Sequence, residues 1–316
     1  MKLSVIIPVY NLQDFIGDCL SSLLTQVVDF DYELIVANDC STDNSLSIIK
    51  RYQETFPGKI ILINNEVNQR LAKNMKLLLQ RAQGQYIAYM DGDDLALPGK
   101  LQTQVDFLDN HPSTSMVYHD SEVFESETGR VMSQYVRDYY NRNRIPEHAS
   151  IEHLVKFGSF FQASSLMHRR HDNLIETVDE KCKIILDQPY QILNAGFLDG
   201  YISRIDGVLG RYRIHANSFG AQTLKNTQRR QQVLDDQLQA ISNAKKFKVS
   251  NSVILEGAAH YYFATAIFFL KLEDKTRFRK FIELSDNGSD YFDQRHQYLI
   301  ENADNFQYCY EYMGFR

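Results

Sequence analysis

Short apolar runs alternate with segments of helical periodicity through the first part of the chain. Leu3-Ser4-Val5-Ile6-Ile7 is a β-branched run stopped by Pro8, and Phe15, Ile16, Cys19, Leu20, Leu23 and Leu24 then recur at the spacing of one helix face. This predicts strand, loop, helix. Tyr32 to Ala37 predicts a second strand, followed by a helix carrying Leu46, Ile49, Tyr52 and Phe56; Ile60 to Ile63 and then Leu71, Met75, Leu78 and Ala82 repeat the unit, with Gly84 placed to end that helix. Tyr86-Ile87-Ala88-Tyr89-Met90 is almost unbroken apolar sequence and predicts a fully buried strand. Val105 and Leu108 mark a further helix, and Met116 to Phe124 a further strand. Strands alternating with helices at this spacing predict an α/β fold, a mostly parallel sheet with helices on both faces.

The residues that follow the strands are polar. Asp91, Asp93 and Asp94 surround Gly92 directly after the Tyr86 strand, and the carboxyl ends of such strands border the crevice where α/β sheets hold ligands. Oxygen ligands there suit a hard cation, Mg²⁺ or Mn²⁺. Taken alone, the same aspartates serve equally well as an Asx turn capping a helix whose first residue is Pro98. Two other strands end in comparable groups, Pro8-Val9-Tyr10-Asn11 and Asn38-Asp39, so three strand ends supply polar groups to one edge. Asp43 is the better helix cap of its cluster, which leaves Asp39 for another role.

Beyond the Met116 strand the pattern loosens. Glu125 to Ser150 is polar and tyrosine-rich, with Arg137, Arg142 and Arg144 among Tyr135, Tyr139 and Tyr140; it reads equally as a lid or a surface loop. From Gln222 onward, alanine- and aromatic-rich stretches with helical periodicity predict a helical extension over 221–316. The aromatic cluster from His260 to Phe269 reads as helix core. Whether the extension packs on the rest, forms a homo-oligomer or touches a membrane surface stays open.

Composition narrows the classes. The chain has 316 residues, 44% apolar and 23% charged, with a formal net charge of -6, an ordinary soluble composition that argues against nucleic acid as the main partner. Met1 to Leu12 is broken by Pro8 and Asn11 and lacks a small-residue cleavage site, so it reads as a strand rather than a signal peptide. The longest apolar stretch, Ala258 to Leu270, reads as too short to cross a bilayer. Cys19, Cys40, Cys182 and Cys309 have no metal-type spacing and read as free thiols. The expected location is the cytoplasm, with peripheral contact at the inner face of the membrane left open.

VIIPVYN (Val5 to Asn11), NDCSTDNS (Asn38 to Ser45), NQRLAKN (Asn68 to Asn74) and GQYIAYMDGDDLALPGKL (Gly84 to Leu101) resemble, in order and spacing, the successive motifs of family 2 glycosyltransferases. The resemblance implies a GT-A fold, a Rossmann-like mostly parallel sheet flanked by helices. It implies nucleotide-sugar donors, a divalent metal and inversion at the anomeric centre. On this reading 1–220 is the catalytic domain, with 1–115 its nucleotide-sugar-binding half and 116–220 its acceptor half, and 221–316 lies beyond the resemblance. The resemblance places Pro8, Val9, Tyr10, Asn11, Asn68 and Gly92 at the donor nucleotide, with Asp39 accepting from the base N–H and Asp91 near the ribose. Asp93 is the metal ligand, and Asp94 stands beside it. Lys73 weighs equally as a donor contact and as a solvated helix position.

FFQASSLMHRR (Phe160 to Arg170) resembles the family's strand before the acceptor site. In ILDQPYQILNAGF (Ile185 to Phe197) the family's Glu-Asp pair is Leu186-Asp187, so the aspartate is kept and the glutamate is not. Asp187 then stands at the general base, with Asp120 in reserve. GRYRIHANS (Gly210 to Ser218), on a predicted loop, resembles the Tyr-Arg-x-His segment of non-processive members, which makes His215 a diphosphate contact or metal ligand. There is no Gln-x-x-Arg-Trp and no tryptophan at all, which speaks against a processive synthase. The implied activity is transfer of one sugar from a nucleoside-diphosphate donor, UDP-linked, to a hydroxyl of a carbohydrate or lipid-linked acceptor. A sugar nucleotidyltransferase would need a glycine-rich basic loop where Val9-Tyr10-Asn11-Leu12 stands. A catalytically dead binding or scaffold protein would not need Asp39, Asp91, Asp93, Asp187 and His215 together.

Overall fold

The structure, a computed structural model, describes residues 1–316 apart from Tyr140, Asn217, Lys225, Ser289 and Arg316 and the side chains of Phe219 and Leu224. Tyr140 of the tyrosine-rich segment and Asn217 of the His215 motif therefore lie outside the described residues. The predicted alternation is present: β1 (Leu3–Val9), α1 (Ile16–Leu24), β2 (Tyr32–Asn38), α2 (Ser45–Thr55), β3 (Ile60–Asn64), α3 (Arg70–Arg81) and β4 (Tyr86–Tyr89). Then come β5 (Leu95–Ala96), α4 (Lys100–Asn110), β6 (Thr114–Glu125), β7 (Val131–Gln134), β8 (His148–Ala149), α5 (Ile151–Phe157), β9 (Met167–Arg169), α6 (Asp187–Leu198) and β10 (Tyr201–Ile214). Helices α7 (Phe219–Leu224), α8 (Thr227–Ser242), α9 (Asn251–Lys271), α10 (Lys275–Leu284), α11 (Gln294–Glu301) and α12 (Phe306–Tyr312) complete the chain.

The ten strands form one sheet in the order β3-β2-β1-β4-β9-β6-β10-β5, with β7 on β6 and β8 on β10. The long ladders, β1 with β2 and β4, β2 with β3, and β6 with β10, are parallel. Short antiparallel ladders insert β9 between β4 and β6 and fasten β5 to β10. Because the chain runs outward from β1 to β3 and returns to β4 on the other side of β1, the direction of winding reverses there. A crevice opens at such a reversal, beyond the strand carboxyl ends.

Every residue of β1 and β2 is buried. Side chains alternate between faces: Leu3, Val5 and Ile7 pack with α1 and α4 residues on one side, while Ile6, Ile35 and Ile87 join α3, α5 and α6 on the other. The second core also contains Leu234, Phe263 and Phe269 of the helical extension. The extension is thus packed onto the sheet's helical layer. Gly257 makes the close approach of α9 to α5 feasible, since a Cβ there would lie 2.3 Å from the Val155 carbonyl oxygen.

Several local expectations change. Gly84 does not end α3, whose C-cap is Ala82; it sits where a Cβ would come within 2.4 Å of the Ser4 nitrogen, so its role is to let the chain cross the start of β1. Pro98 is not the first residue of α4, which begins at Lys100 after Gly99 takes φ 84° as N-cap. Only Met167–Arg169 of the Phe160 to Arg170 segment is strand, because a 3₁₀ turn at Ala163–Ser165 bends the chain under the acidic loop. α9 runs over 21 residues from Asn251, so length does not exclude a membrane span as Ala258 to Leu270 implied. Glu256, His260, Phe263 and Thr265 of this helix lie inside the protein, while Leu255 is exposed.

Candidate active site

The β1 and β2 strand ends are tied into one platform. Asn11, at φ 54°, accepts from the Thr42 N–H at 2.8 Å, and the N–H groups of Leu12 and Gln13 donate to Ser45 Oγ and Asp43 Oδ2 at 2.8 and 3.0 Å. Pro8 and Val9 are buried beneath it and Tyr10 is half exposed. Asp39 is 3% exposed; its Oδ1 accepts from the Gln69 N–H at 2.7 Å and from Asn65 Nδ2 at 2.9 Å, while Asn68 Nδ2 donates to the Asp39 carbonyl at 3.2 Å. No protein group among the described residues meets Asp39 Oδ2. Asp43 accepts from the Ser45 N–H at 2.9 Å at the start of α2. Lys73 is exposed on α3, and its charge acts on Glu180.

The acidic loop bridges β4 and β5. Gly92 is buried, with room for a Cβ only 2.9 Å from Leu12 Cδ1, so the loop lies flush against the end of β1. The Tyr89 hydroxyl donates to Asp91 Oδ1 at 2.6 Å, and the Asp91 N–H donates to Ser164 Oγ at 2.8 Å. Burial, then the neighbouring Asp93 charge, push the Asp91 carboxyl up to about 7. Asp94, 1% exposed, accepts from Gln162 Nε2 and Ser164 Oγ, both at 2.6 Å, and from the Arg213 N–H at 3.0 Å. Its carboxylate is spent on scaffold. Beneath it Lys100 donates to the Ser164 carbonyl and, at 2.9 Å, to His119 Nε2; burial lowers this ammonium to about 7.

Because β5 pairs with β10, the end of β10 returns to the acidic loop. Arg213 Nε donates to the Asp93 carbonyl at 2.8 Å, and His215 Nε2 lies 3.1 Å from Asp93 Oδ2. The segment holding Arg213 is strand rather than loop; its glycines and charges hide a strand whose long ladder is made with β6. Asp93 and His215 fit a hard divalent cation, one carboxylate oxygen and one imidazole nitrogen meeting at a point. Among the described residues no group of three or more His, Cys, Asp or Glu closes around an ion. Such a site leaves positions for phosphate oxygens and water.

Asp187 opens α6, with Pro189 in the first turn. Burial raises its carboxyl above the ordinary aspartate range, and its charge adds to the upward push on Asp91. Both line one cleft of about 720 Å³. The reserve candidate Asp120 is otherwise committed: its carboxylate accepts from the Ser121, Val136 and Arg137 N–H groups at 2.8, 2.8 and 2.9 Å, fixing the turn that follows β7 within the tyrosine-rich segment. Arg144 of that segment donates to the Tyr291 and Phe292 carbonyls at 3.2 and 3.1 Å.

One residue that sequence reasoning missed is Asp236 of α8. It is 1% exposed, and its Oδ2 accepts from the consecutive N–H groups of Lys183, Ile184 and Ile185 at 2.9, 2.7 and 3.0 Å. That carboxylate fastens the loop leading into Asp187 to the helical extension. Asp236→Ala is expected to lower unfolding free energy by at least about 2 kcal/mol, since it strands buried amide donors. Urea unfolding checks it; a change within about 0.5 kcal/mol, the scale of an ordinary surface substitution, would show the loop held by other contacts.

Residues 4–178 match the family described as Glycosyl transferase family 2. The chain belongs to that family. Among similar proteins are EpsE of Bacillus subtilis, 40% identical over 124 residues, covering 39% of this chain and 44% of EpsE, and Rv1520 of Mycobacterium tuberculosis, 29% identical over 219 residues, covering 68% and 59%. The chain thus spans about half the length of these relatives. In shape it is similar to S. aureus TarS, with a TM-score of 0.62 at 18% identity over 98% of this chain and 52% of TarS. It is also similar to the mannosyltransferase PcManGT of Pyrobaculum calidifontis in complex with GDP-Man and Mn²⁺, with a TM-score of 0.57 at 16% identity, over 98% and 86%. These likenesses establish the GT-A fold. The family match stops before Asp187 and His215, whose placement rests on the geometry above.

Proposed function

We propose that this glycosyltransferase transfers one sugar from a nucleoside-diphosphate donor, a UDP-sugar, to an acceptor hydroxyl with inversion, using Asp187 as general base. The observation that carries the reading is the convergence of Asp91, Asp93, His215 and Asp187 at the strand ends where the sheet's winding reverses. Asp39 offers Oδ2 to the base N–H, a contact suited to a carboxylate. Asp93 and His215 hold the cation, which supplies charge neutralisation on the diphosphate when bound. Asp187 takes the acceptor proton as the oxygen attacks the anomeric carbon; the new C–O bond forms as the bond to the diphosphate breaks, and its electron pair leaves with the phosphate. An upward-shifted carboxylate is the stronger base for that transfer. Complexes of TarS 1-349 with UDP-GlcNAc and of PcManGT with GDP-Man support a nucleotide-sugar donor.

Thermal shift with UDP- and GDP-sugars, with and without Mn²⁺, tests the reading, because a ligand that binds only the folded chain raises its melting temperature. A metal-dependent rise with a UDP-sugar is expected. No rise with any nucleotide sugar would remove the donor site. His215→Ala is expected to weaken Mn²⁺-dependent UDP binding roughly tenfold, or ~1.4 kcal/mol, with little change in melting temperature. His215 also packs on Phe15, ring centroids 4.5 Å apart, so a large melting loss with unchanged UDP affinity would assign it to packing instead.

A further inference from the structure

The last residue of β4, Tyr89, is 9% exposed, and its hydroxyl donates to Asp91 Oδ1 at 2.6 Å. Its ring packs on Tyr190 of α6, with centroids 6.3 Å apart. Tyr190 is fixed in turn. Burial keeps His168 neutral, and its Nδ1 lies 2.8 Å from the Arg169 carbonyl, which only accepts; the proton therefore sits on Nδ1, and Nε2 accepts from the Tyr190 hydroxyl at 2.6 Å. Tyr89 reaches Asp91 from a rigid seat. It lines the large cleft together with Asp91 and Asp187, and Tyr261 and Phe268 of α9, expected as helix core, border that cleft too. Burial, then the Asp91 charge, push the Tyr89 hydroxyl well above the usual phenol range, so it stays a donor.

Asp91 needs such a partner. Its side chain is partly exposed at the cleft, and the charges of Asp93 and Asp187 act on it. A short carboxylate that turns about two bonds beside like charges keeps one orientation only where a donor holds it. The strand order β2-β1-β4 sets Asp39 and Asp91 at strand ends flanking β1. A nucleotide whose base meets Asp39 and whose diphosphate meets the cation at Asp93 has its ribose between them, and the ribose offers hydroxyl donors to an acceptor-only carboxylate.

We infer that Tyr89 is a positioning residue for donor recognition: its hydroxyl fixes the Asp91 carboxylate in the orientation that accepts a ribose hydroxyl of the donor nucleotide. The inference rests on the proposed nucleotide-sugar reading and deepens it. An acceptor oriented beforehand removes an ordering cost from binding. Phenylalanine at this position keeps the ring on Tyr190 and loses only the hydroxyl.

The test measures binding of UDP, 2′-deoxy-UDP and 3′-deoxy-UDP to the full chain with Mn²⁺ by calorimetry. Wild type is expected to bind one deoxy analogue at least about tenfold more weakly than UDP, the scale of one hydrogen bond to a charged group. Tyr89→Phe is expected to bind UDP roughly tenfold more weakly and that analogue within about twofold of UDP, at an unchanged melting temperature. In an Asp91→Ala background the same substitution is expected to change UDP affinity by less than about twofold, because the two side chains act as one unit. Ribose discrimination retained by Tyr89→Phe overturns the inference and leaves the donor reading standing, as does an equal loss with and without the Asp91 carboxylate. A marked fall in the melting temperature of Tyr89→Phe overturns it too, by making the hydroxyl a folding contact. A wild type that binds UDP but discriminates against neither analogue removes Asp91 from the ribose, and the inference with it. Only a wild type that binds no UDP sinks the donor reading itself.

Discussion

Asp187→Asn is expected to cut turnover by roughly a hundredfold or more, the scale of a lost general base, with donor and metal affinity near the wild-type values. Direct displacement needs the acceptor proton removed during attack, and an amide cannot accept it. Asp187 is suited to the task by placement: it begins α6 and lines the same cleft as Asp91. It is suited by environment too, because burial holds its carboxyl above the ordinary aspartate range. Below its pKa the group is protonated and idle, so the rate should rise with pH through a limb above the usual aspartate value. That limb should vanish in the asparagine variant. Asparagine preserves shape at the first turn of α6, so the fold should survive, and calorimetry with UDP and Mn²⁺ verifies that the donor side is intact. Near-normal turnover in the variant would place the base elsewhere. Asp120 would be a poor substitute, since three backbone N–H groups already occupy its carboxylate.

Why some of this was legible and some was not follows from where the information sits. The front half reads directly from the chain because β1, β2 and β4 are buried on both faces, which demands unbroken apolar runs, and the helices between them show one apolar face each. The acidic loop is equally local: a buried strand runs straight into Asp91 and Asp93. β10 was illegible as a strand because Gly207, Gly210 and its arginines carry no alternating pattern; its ladder with β6 has register shifts that accommodate them. The contacts of the extension are illegible for a different reason. Asp236 with the 183–185 amides, and Arg144 with the Tyr291 carbonyl, join positions far apart in sequence, and nothing local marks either partner. Tyr261 and Phe268 look like any helix-core aromatic until α9 is docked on α5.

Asp93→Asn is expected to abolish metal-dependent donor binding while leaving the fold intact. A neutral amide is a poor ligand for a hard dication, which prefers a charged oxygen. The fold should tolerate the change because the side chain supports little else. Among the described residues Asp93 Oδ2 meets only His215, at 3.1 Å, and the structural bonds of the loop run through the Asp93 carbonyl to Arg213 and through Asp94 and Ser164. The contrast with Asp94 is the useful control. Asp94→Asn removes the acceptor of a buried network and should lower the melting temperature, whereas Asp93→Asn should barely move it. Titration of each variant with Mn²⁺ and UDP by calorimetry separates the roles. UDP heats that no longer depend on Mn²⁺ in Asp93→Asn, beside a normal melting temperature, are the expected result. Undiminished Mn²⁺-dependent affinity would show that the cation is held without Asp93, and the pairing of Asp93 with His215 would then be a structural hydrogen bond.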